Sequence, residues 1–355
     1  MEKDIARART FNKCLYNDPH FFSECKEKIF APSWQLLGDS DLLQEAGAIP
    51  FTLHEHYLDE PLLLTRDECG TLHCLSNVCT HRGNLMVLGK CKARQLVCKY
   101  HGRRFAMNGK FLFMPEFREV KDFPTEKDHL HALPIYQWGK LLFTSLSPVT
   151  KAEEVFAEIR ERLSWYPMDQ LQLKSEYTTD YKVKANWALY CENYLEGFHI
   201  PFVHEGLNEV LDFGEYTTEL FNHSNLQVGI AKEGDICFEL PTSSPDHGKK
   251  IAGYYWWAFP NLMLNFYPWG ISVNIVKPVS INECIVTYMK YVVDESKMNS
   301  GAGGDLHNIE MEDEEVVENV QRGVRSRFYE HGRYSVTREQ GTHHFHCLLS
   351  EAMEG

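Results

Sequence analysis

Two short stretches decide how this chain is read: Cys79-Thr80-His81-Arg82-Gly83 and Cys98-Lys99-Tyr100-His101-Gly102, with sixteen residues between His81 and Cys98. A zinc finger groups its cysteines as one pair and its histidines as another. Here each pair holds one cysteine and one histidine. Cysteine thiolates and imidazoles suit zinc or an iron–sulfur centre. The mixed pairing fits a two-iron centre in which each pair gives one ligand to an all-thiolate iron and one to an all-imidazole iron. Structural zinc is the competing reading. Gly83 and Gly102 close the two stretches, as tight loops require where backbone N–H groups approach sulfides.

The surrounding texture is β-rich. Short runs at Trp34–Gly38, Pro50–His54, Leu62–Thr65, Leu72–Ser76, Leu96–Cys98, Lys110–Phe113 and Lys140–Thr144 read as strands, with turns at Asp67–Gly70 and Asn108-Gly109. The first 32 residues read as a helical arm. Beyond Pro148 the pattern predicts helix over Lys151–Leu163, strand over Gln172–Lys184 and helix over Ala185–Phe198. Strands follow at Thr218–Phe221, Gly253–Phe259, Leu262–Tyr267, Ser272–Pro278 and Cys284–Val293, then a Gly/Ser loop at Met298–Asp305 and a charged helix from Glu310 to about Tyr329. Ile251 to Val276 carries no charge, but its prolines, asparagines and glycines make it a set of buried strands rather than a membrane span. Strands in series between helices predict an α+β domain with an antiparallel sheet.

A second constellation runs from Asn186 to His204. Glu196 and His199 stand three apart, so on a helix they share a face. His199 and His204 stand five apart, about 140° on a straight helix, too far for one metal. Pro201 breaks the hydrogen-bond ladder, and a bend there brings both imidazoles to one point. Two histidines and a carboxylate make a facial site for non-haem iron(II). The run Glu310-Met311-Glu312-Asp313-Glu314-Glu315 offers five carboxylates. With Asp313 at zero, Val317, Val320, Val324 and Val316 fall at about 40°, 340°, 20° and 300°. Asp313 therefore lies on the apolar stripe, while Glu312, Glu314, Glu315 and Glu318 point to solvent. A carboxylate there is costly unless paired or metal-bound, which makes Asp313 the expected third ligand.

Together, C-T-H-R-G with C-x-Y-H-G, E-N-Y-L-E-x-F-H-x4-H (Glu192 to His204) and E-D-x7-Q-R-G (Glu312 to Gly323) resemble the catalytic α subunit of Rieske non-haem iron oxygenases. The resemblance covers nearly the whole chain. It implies an α+β protein: an N-terminal all-β Rieske [2Fe–2S] domain over residues 34–148 and a C-terminal helix-grip catalytic domain over 149–355. Residues 1–33 would be an arm packing on the catalytic domain. Cys79, His81, Cys98 and His101 would hold one [2Fe–2S] cluster, and His199, His204 and Asp313 one Fe(II). Glu196 matches the carboxylate that bridges the cluster of one subunit to the iron of the next, with Asn193 and Tyr194 beside the iron. The chain departs from the family at Lys99 and Arg103, where Pro and Trp are usual. Both are expected near the exposed histidine edge.

The resemblance implies a homotrimer, O2 as co-substrate, and electrons from NAD(P)H through a flavin or ferredoxin-type reductase. Glu196, the tail Gly332–His346 and the segment Phe259–Trp269 resemble the branch that oxidises choline and related quaternary amines. The expected reaction is therefore monooxygenation or N-dealkylation of a small N-methyl cation. An aromatic-ring dioxygenase acting on an aromatic acid, with or without a β subunit, is the alternative, and an electron carrier lacking the second site is the remote one. Aromatics at Tyr254–Trp257 and Phe259 would wall the pocket on one strand parity. His343, His344 and His346 read as structural. A net charge of −14 argues against nucleic acid as partner. Eleven cysteines without scaffold spacing, and a start (MEKDIARART) without an apolar core, predict a reduced, cytoplasmic protein away from membranes.

Overall fold

The computed structural model describes residues 1–298 and 300–354. Asn299, within the Gly/Ser loop expected at 298–305, lies outside the described residues, as does Gly355. The chain forms two compact units, Ala31–Pro148 and Met1–Phe30 with Val149–Gly355.

The smaller unit is built of antiparallel strands. Its largest sheet runs in the order Cys91–Lys92, Gly47–Leu53, Glu60–Arg66, Leu72–Ser76, Ala132–Leu133. A three-stranded sheet has Leu141–Thr144 between Gln35–Asp39 and Ile135–Trp138. A second joins Gln95–Val97, Arg104–Ala106 and Phe111–Phe113. At the expected turn, Asp67 Oδ1 accepts the N–H groups of Cys69 and Thr71 at 3.0 and 2.8 Å. Gly109, in the Asn-Gly turn, adopts φ +80, a conformation that side-chain-bearing residues avoid. Leu63, Leu75, Leu96, Phe105 and Met107 form a core that includes Cys79 and Cys98. The two cysteines are thus rooted in apolar packing, while each following histidine is carried outward on a loop.

The larger unit is an eight-stranded antiparallel sheet with helices against it. The order is Gln172–Leu173, Glu283–Val292, Gly270–Ser280, Leu262–Tyr267, Ile251–Ala258, Ser224–Ile230, Thr217–Leu220, and Thr179–Val183 also pairs with Glu283–Val292. The uncharged stretch is thus strand, and among the described residues no helix is long and apolar enough to cross a membrane. Its longest helices are Trp187–Tyr194, Leu306–Gly323 and Gln340–Glu354. Trp187 and Trp257 pack edge-on against Phe345, at 5.9 and 5.3 Å between ring centres.

Several expectations change. Strand Ser224–Ile230 and helix Gln340–Glu354 carry no distinct sequence signal and were not expected. The strand expected over Gln172–Lys184 is interrupted by a 3-10 turn at Ser175–Tyr177. The arm is helical only from Cys14; before it, Arg9 forms an isolated bridge with Arg333. Phe30 packs edge-on against Trp187 at 4.9 Å, and Tyr16 donates to Glu192 at 2.7 Å.

The most consequential change concerns the helix expected over Ala185–Phe198. It is capped by Asn186, whose side chain accepts from Ala188 N–H, and ends at Tyr194. Glu196 lies in a turn, and its carboxylate accepts the N–H groups of Phe198 and His199. His199 caps a new short helix, Ile200–Val203. Pro201 therefore starts a helix instead of bending one, at a position where its missing N–H costs nothing.

Candidate metal centres

His199, His204 and Asp313 converge. Their donor atoms lie within 4.8 Å of one another. The two Nε2 atoms are 3.1 Å apart, and Asp313 Oδ1 stands 3.0 Å from His204 Nε2 and 3.5 Å from His199 Nε2. The opposite ring nitrogens are occupied. His199 Nδ1 faces Glu196 Oε1 at 2.7 Å, and His204 Nδ1 faces Glu312 Oε2 at 2.7 Å. Each Nδ1 must donate to its carboxylate, which turns each Nε2 into a lone pair aimed at the same point. Three acceptors facing one another need a cation or a shared proton between them. Burial disfavours charge on His204, yet the bonds from Asp313 and Glu312 outweigh it and raise its pKa. The donor set fits a mononuclear Fe(II) with coordination positions left open.

The helix Leu306–Gly323 supplies the carboxylates. Its buried stripe runs Leu306, Glu310, Val317, Gln321, with Val324 just beyond, and Asp313 falls on it. The stripe is rotated from expectation: Val320 is exposed, and Gln321 is buried, accepting the N–H of Asn186 at 2.7 Å. Glu312, expected in solvent, reaches back to His204. Glu310 is fully buried, and its Oε2 accepts from the hydroxyls of Tyr190 and Tyr288. Burial pushes its pKa up to about 8; the two hydroxyl bonds oppose this and Asp313 and Glu314 add to it.

A pocket opens over the three donors. Asn193, Tyr194, Glu196, His199, His204 and Asp313 all line it. So do Tyr190, Tyr216, Tyr255, Tyr267 and Tyr288. Strand register explains the floor. Gln227 pairs with Tyr255, Tyr255 with Asn265, and Asn274 with Tyr288, so these residues share one face of the sheet. Of the aromatics expected to wall the pocket from 254–257 and 259, Tyr255 alone does so. Tyr254 turns to the other face and donates to Asp246 at 3.0 Å, and Trp256 stacks on Phe221 at 5.1 Å. Tyr194 donates to Asn265 Oδ1 at 2.7 Å. Gly197 is demanded by close approach: a Cβ there would lie 2.6 Å from the Tyr216 ring.

In the smaller unit the Cys79–Gly83 and Cys98–Gly102 stretches form matching loops. Gly83 and Gly102 both adopt φ +71, and their N–H groups donate to the carbonyls of Cys79 and Cys98 at 3.0 and 2.9 Å. His81 Nδ1 and His101 Nδ1 face each other at 3.1 Å. Both cysteines are buried. Burial raises the Cys79 thiol, whereas for Cys98 burial is outweighed by the N–H groups of Tyr100 and His101 and by Cys79, which lower it. Paired thiols on one side, paired imidazoles on the other and backbone N–H groups aimed at sulfur fit a [2Fe–2S] cluster. Tyr100 stacks on His101 at 3.8 Å, leaving the aromatic edge exposed. Lys99 is exposed beside it. Arg103 is not at that edge: its side chain is buried.

Two of the histidines near the end of the chain have structural partners. His343 Nε2 meets Glu2 O at 2.8 Å, and His346 Nε2 lies 2.9 Å from Glu192 Oε1.

Comparison with known proteins adds independent findings. The Rieske [2Fe-2S] domain profile matches residues 33–124, and the ring hydroxylating alpha subunit (catalytic domain) profile matches residues 170–355. The chloroplastic choline monooxygenase of Arabidopsis thaliana is 30% identical, over 97% of this chain and 83% of that protein. The carnitine monooxygenase oxygenase subunit of Escherichia coli (strain K12) is 27% identical, over 96% of this chain and 92% of that protein. A crystal structure of the quaternary ammonium Rieske monooxygenase CntA superimposes with a TM-score of 0.81 at 24% identity, covering 99% of both chains.

Proposed function

Because the chain belongs to the ring-hydroxylating oxygenase α-subunit family, with a Rieske [2Fe–2S] domain ahead of its catalytic domain, we propose that it hydroxylates a small quaternary amine. The observation that carries this reading is the pocket wall. Six tyrosines (Tyr190, Tyr194, Tyr216, Tyr255, Tyr267 and Tyr288) surround the space above His199, His204 and Asp313. Ring faces attract a cation that cannot be hydrogen-bonded. Among the described lining residues none is Lys or Arg. An aromatic acid would find no basic side chain there, and similarity to choline and carnitine monooxygenases points the same way.

Iron at His199, His204 and Asp313 supplies O2 activation when bound, with electrons from a [2Fe–2S] cluster at Cys79, His81, Cys98 and His101. The protein's own groups do the rest. Glu196 and Glu312 hold the two imidazoles in the tautomer whose Nε2 is free. Ile200, Leu207, Leu306 and Ile309 wall the pocket against water. The balance is one O2, two electrons and two protons per C–H bond converted to C–OH and water. Hydroxylation beside nitrogen gives a carbinolamine that collapses to amine and aldehyde.

In this reading residues 34–148 receive electrons, 149–355 carry the chemistry and 1–33 brace the catalytic domain. The assembly is a homotrimer in which Glu196 bridges the cluster of a neighbouring subunit to His199, served by a flavin or ferredoxin-type reductase. Support for electron passage between subunits comes from the related monooxygenase, whose structure is described in those terms. Support for a reducing, cytoplasmic setting comes from the eleven cysteines, none of them in a disulfide.

The test is O2 uptake and product formation by the iron-loaded protein with a flavin reductase and NAD(P)H. Choline, carnitine, betaine and benzoate are the substrates. Coupled turnover with a quaternary amine is expected. Turnover with benzoate alone would overturn the substrate assignment.

A further inference from the structure

Arg103 follows the C-x-Y-H-G stretch, where the resemblance implies a neutral tryptophan, and its surroundings are specific. Its carbonyl accepts the N–H of Cys98 at 2.8 Å, closing the second cluster loop. Its side chain is 2% exposed. Nη2 donates to the carboxylate of Asp128 at 2.8 Å and to the Asp128 carbonyl at 3.0 Å. The guanidinium carbon lies 5.0, 5.4 and 5.6 Å from the ring centres of Phe111, Phe123 and Phe105. Cation–π contact and ion pairing together make a buried guanidinium tolerable.

Asp128 is tied to both loops. Its carbonyl also accepts from Thr80 Oγ1 at 2.9 Å, and Thr80 stands between Cys79 and His81. Its second carboxylate oxygen accepts the N–H and hydroxyl of Thr125 at 2.8 and 3.1 Å. One residue thus joins the first loop, through Thr80, to the second, through Arg103.

We propose that Arg103 is the positioning residue that sets the reduction potential of the cluster held by Cys79, His81, Cys98 and His101, with Asp128 as its counterweight and clamp. The proposal rests on the reading of those four residues as a [2Fe–2S] site. Reduction adds one electron to the cluster, so a fixed positive charge nearby favours the reduced form and raises the potential. The pair is unequal in solvent contact: the guanidinium is 2% exposed and the Asp128 carboxylate 19%, so water screens the carboxylate more.

The test is an EPR-monitored redox titration of the full-length protein, wild type beside Asp128→Asn and Arg103→Trp, with iron and acid-labile sulfide measured on each. Asp128→Asn keeps the backbone carbonyl that both loops use and leaves the guanidinium uncompensated, so its potential should rise. Arg103→Trp removes the charge, so its potential should fall. Wild-type potentials in both variants with sulfide retained, or a fall in Asp128→Asn, would overturn the proposal. If Arg103→Trp loses its cluster, the sign of the shift in Asp128→Asn decides alone. A wild-type protein without labile sulfide would instead overturn the cluster reading beneath it.

Discussion

Glu312 accepts from Nδ1 of His204 at 2.7 Å. The contact places two consecutive carboxylates on opposite edges of one imidazole, since Asp313 faces Nε2 of the same ring at 3.0 Å. One residue is in position to bind the metal and the next to orient a ligand.

Replacing Glu312 with alanine should therefore weaken iron binding without removing a ligand. Losing such an outer partner costs about 10–100-fold in metal affinity. Competition with a chelator, followed by iron analysis, checks this, and labile sulfide should not change. Full iron retention at chelator concentrations that strip the wild type only slowly would refute the orienting role.

Asp313→Ala should lower iron content by about one ion per chain and leave the cluster spectrum intact. Oxygen uptake should vanish while the cluster still accepts electrons from dithionite. Unchanged iron would move the ligand to another carboxylate on the helix, Glu312 or Glu310.

Glu310 gives a pH dependence of stability. Its pKa is raised from 4.5 to about 8 in the folded protein. The folded state therefore holds a proton that the unfolded state has released across that interval. Its contribution is fully present below pH 4.5 and is lost as pH rises through about 8. Glu310→Gln cannot ionise, so its melting temperature relative to wild type should climb as pH rises through this range. Thermal unfolding of chelator-treated protein measures it. A constant difference across the range would show that Glu310 ionises normally.

Gly197→Ala tests the packing between the Glu196–His199 turn and the pocket. The added carbon would meet Tyr216 at 2.6 Å, so the ring or the turn must move. Displacements of about 1 Å near reacting groups cost up to about a hundredfold in rate. A drop of about ten- to a hundredfold in kcat/KM, with folding and sulfide preserved, is expected. Wild-type kinetics would mean that the ring swings aside freely.

Much of the site was legible in the chain alone because its chemistry is local. Cys79, His81, Cys98 and His101 declare themselves by residue type and spacing, and the two glycines mark the turns. Asp313 emerged because helical periodicity is a short-range rule. The same arithmetic misplaced Glu312 and Val320, because a helix can roll by tens of degrees to suit its neighbours, and here Gln321 takes the buried place to receive the N–H of Asn186. His199 and Glu196 were expected on one helix, yet their contact comes from a turn in which the Glu196 carboxylate caps the backbone.

By itself the sequence determined the residue types of the two candidate donor sets, the two-part organisation and the strand character of the uncharged stretch from Ile251 to Val276. Each is set by residue identity and by neighbours a few positions away. Tertiary structure alone decided which tyrosines face the metal donors, that Tyr254 turns away where Tyr255 does not, that Glu310 is buried between two hydroxyls and that Arg103 is enclosed by phenylalanines. Those outcomes depend on strand register and on packing between segments far apart in the chain, as where Tyr288 meets Glu310 or Arg103 meets Asp128. Composition and periodicity hold no record of which distant partner completes a hydrogen bond.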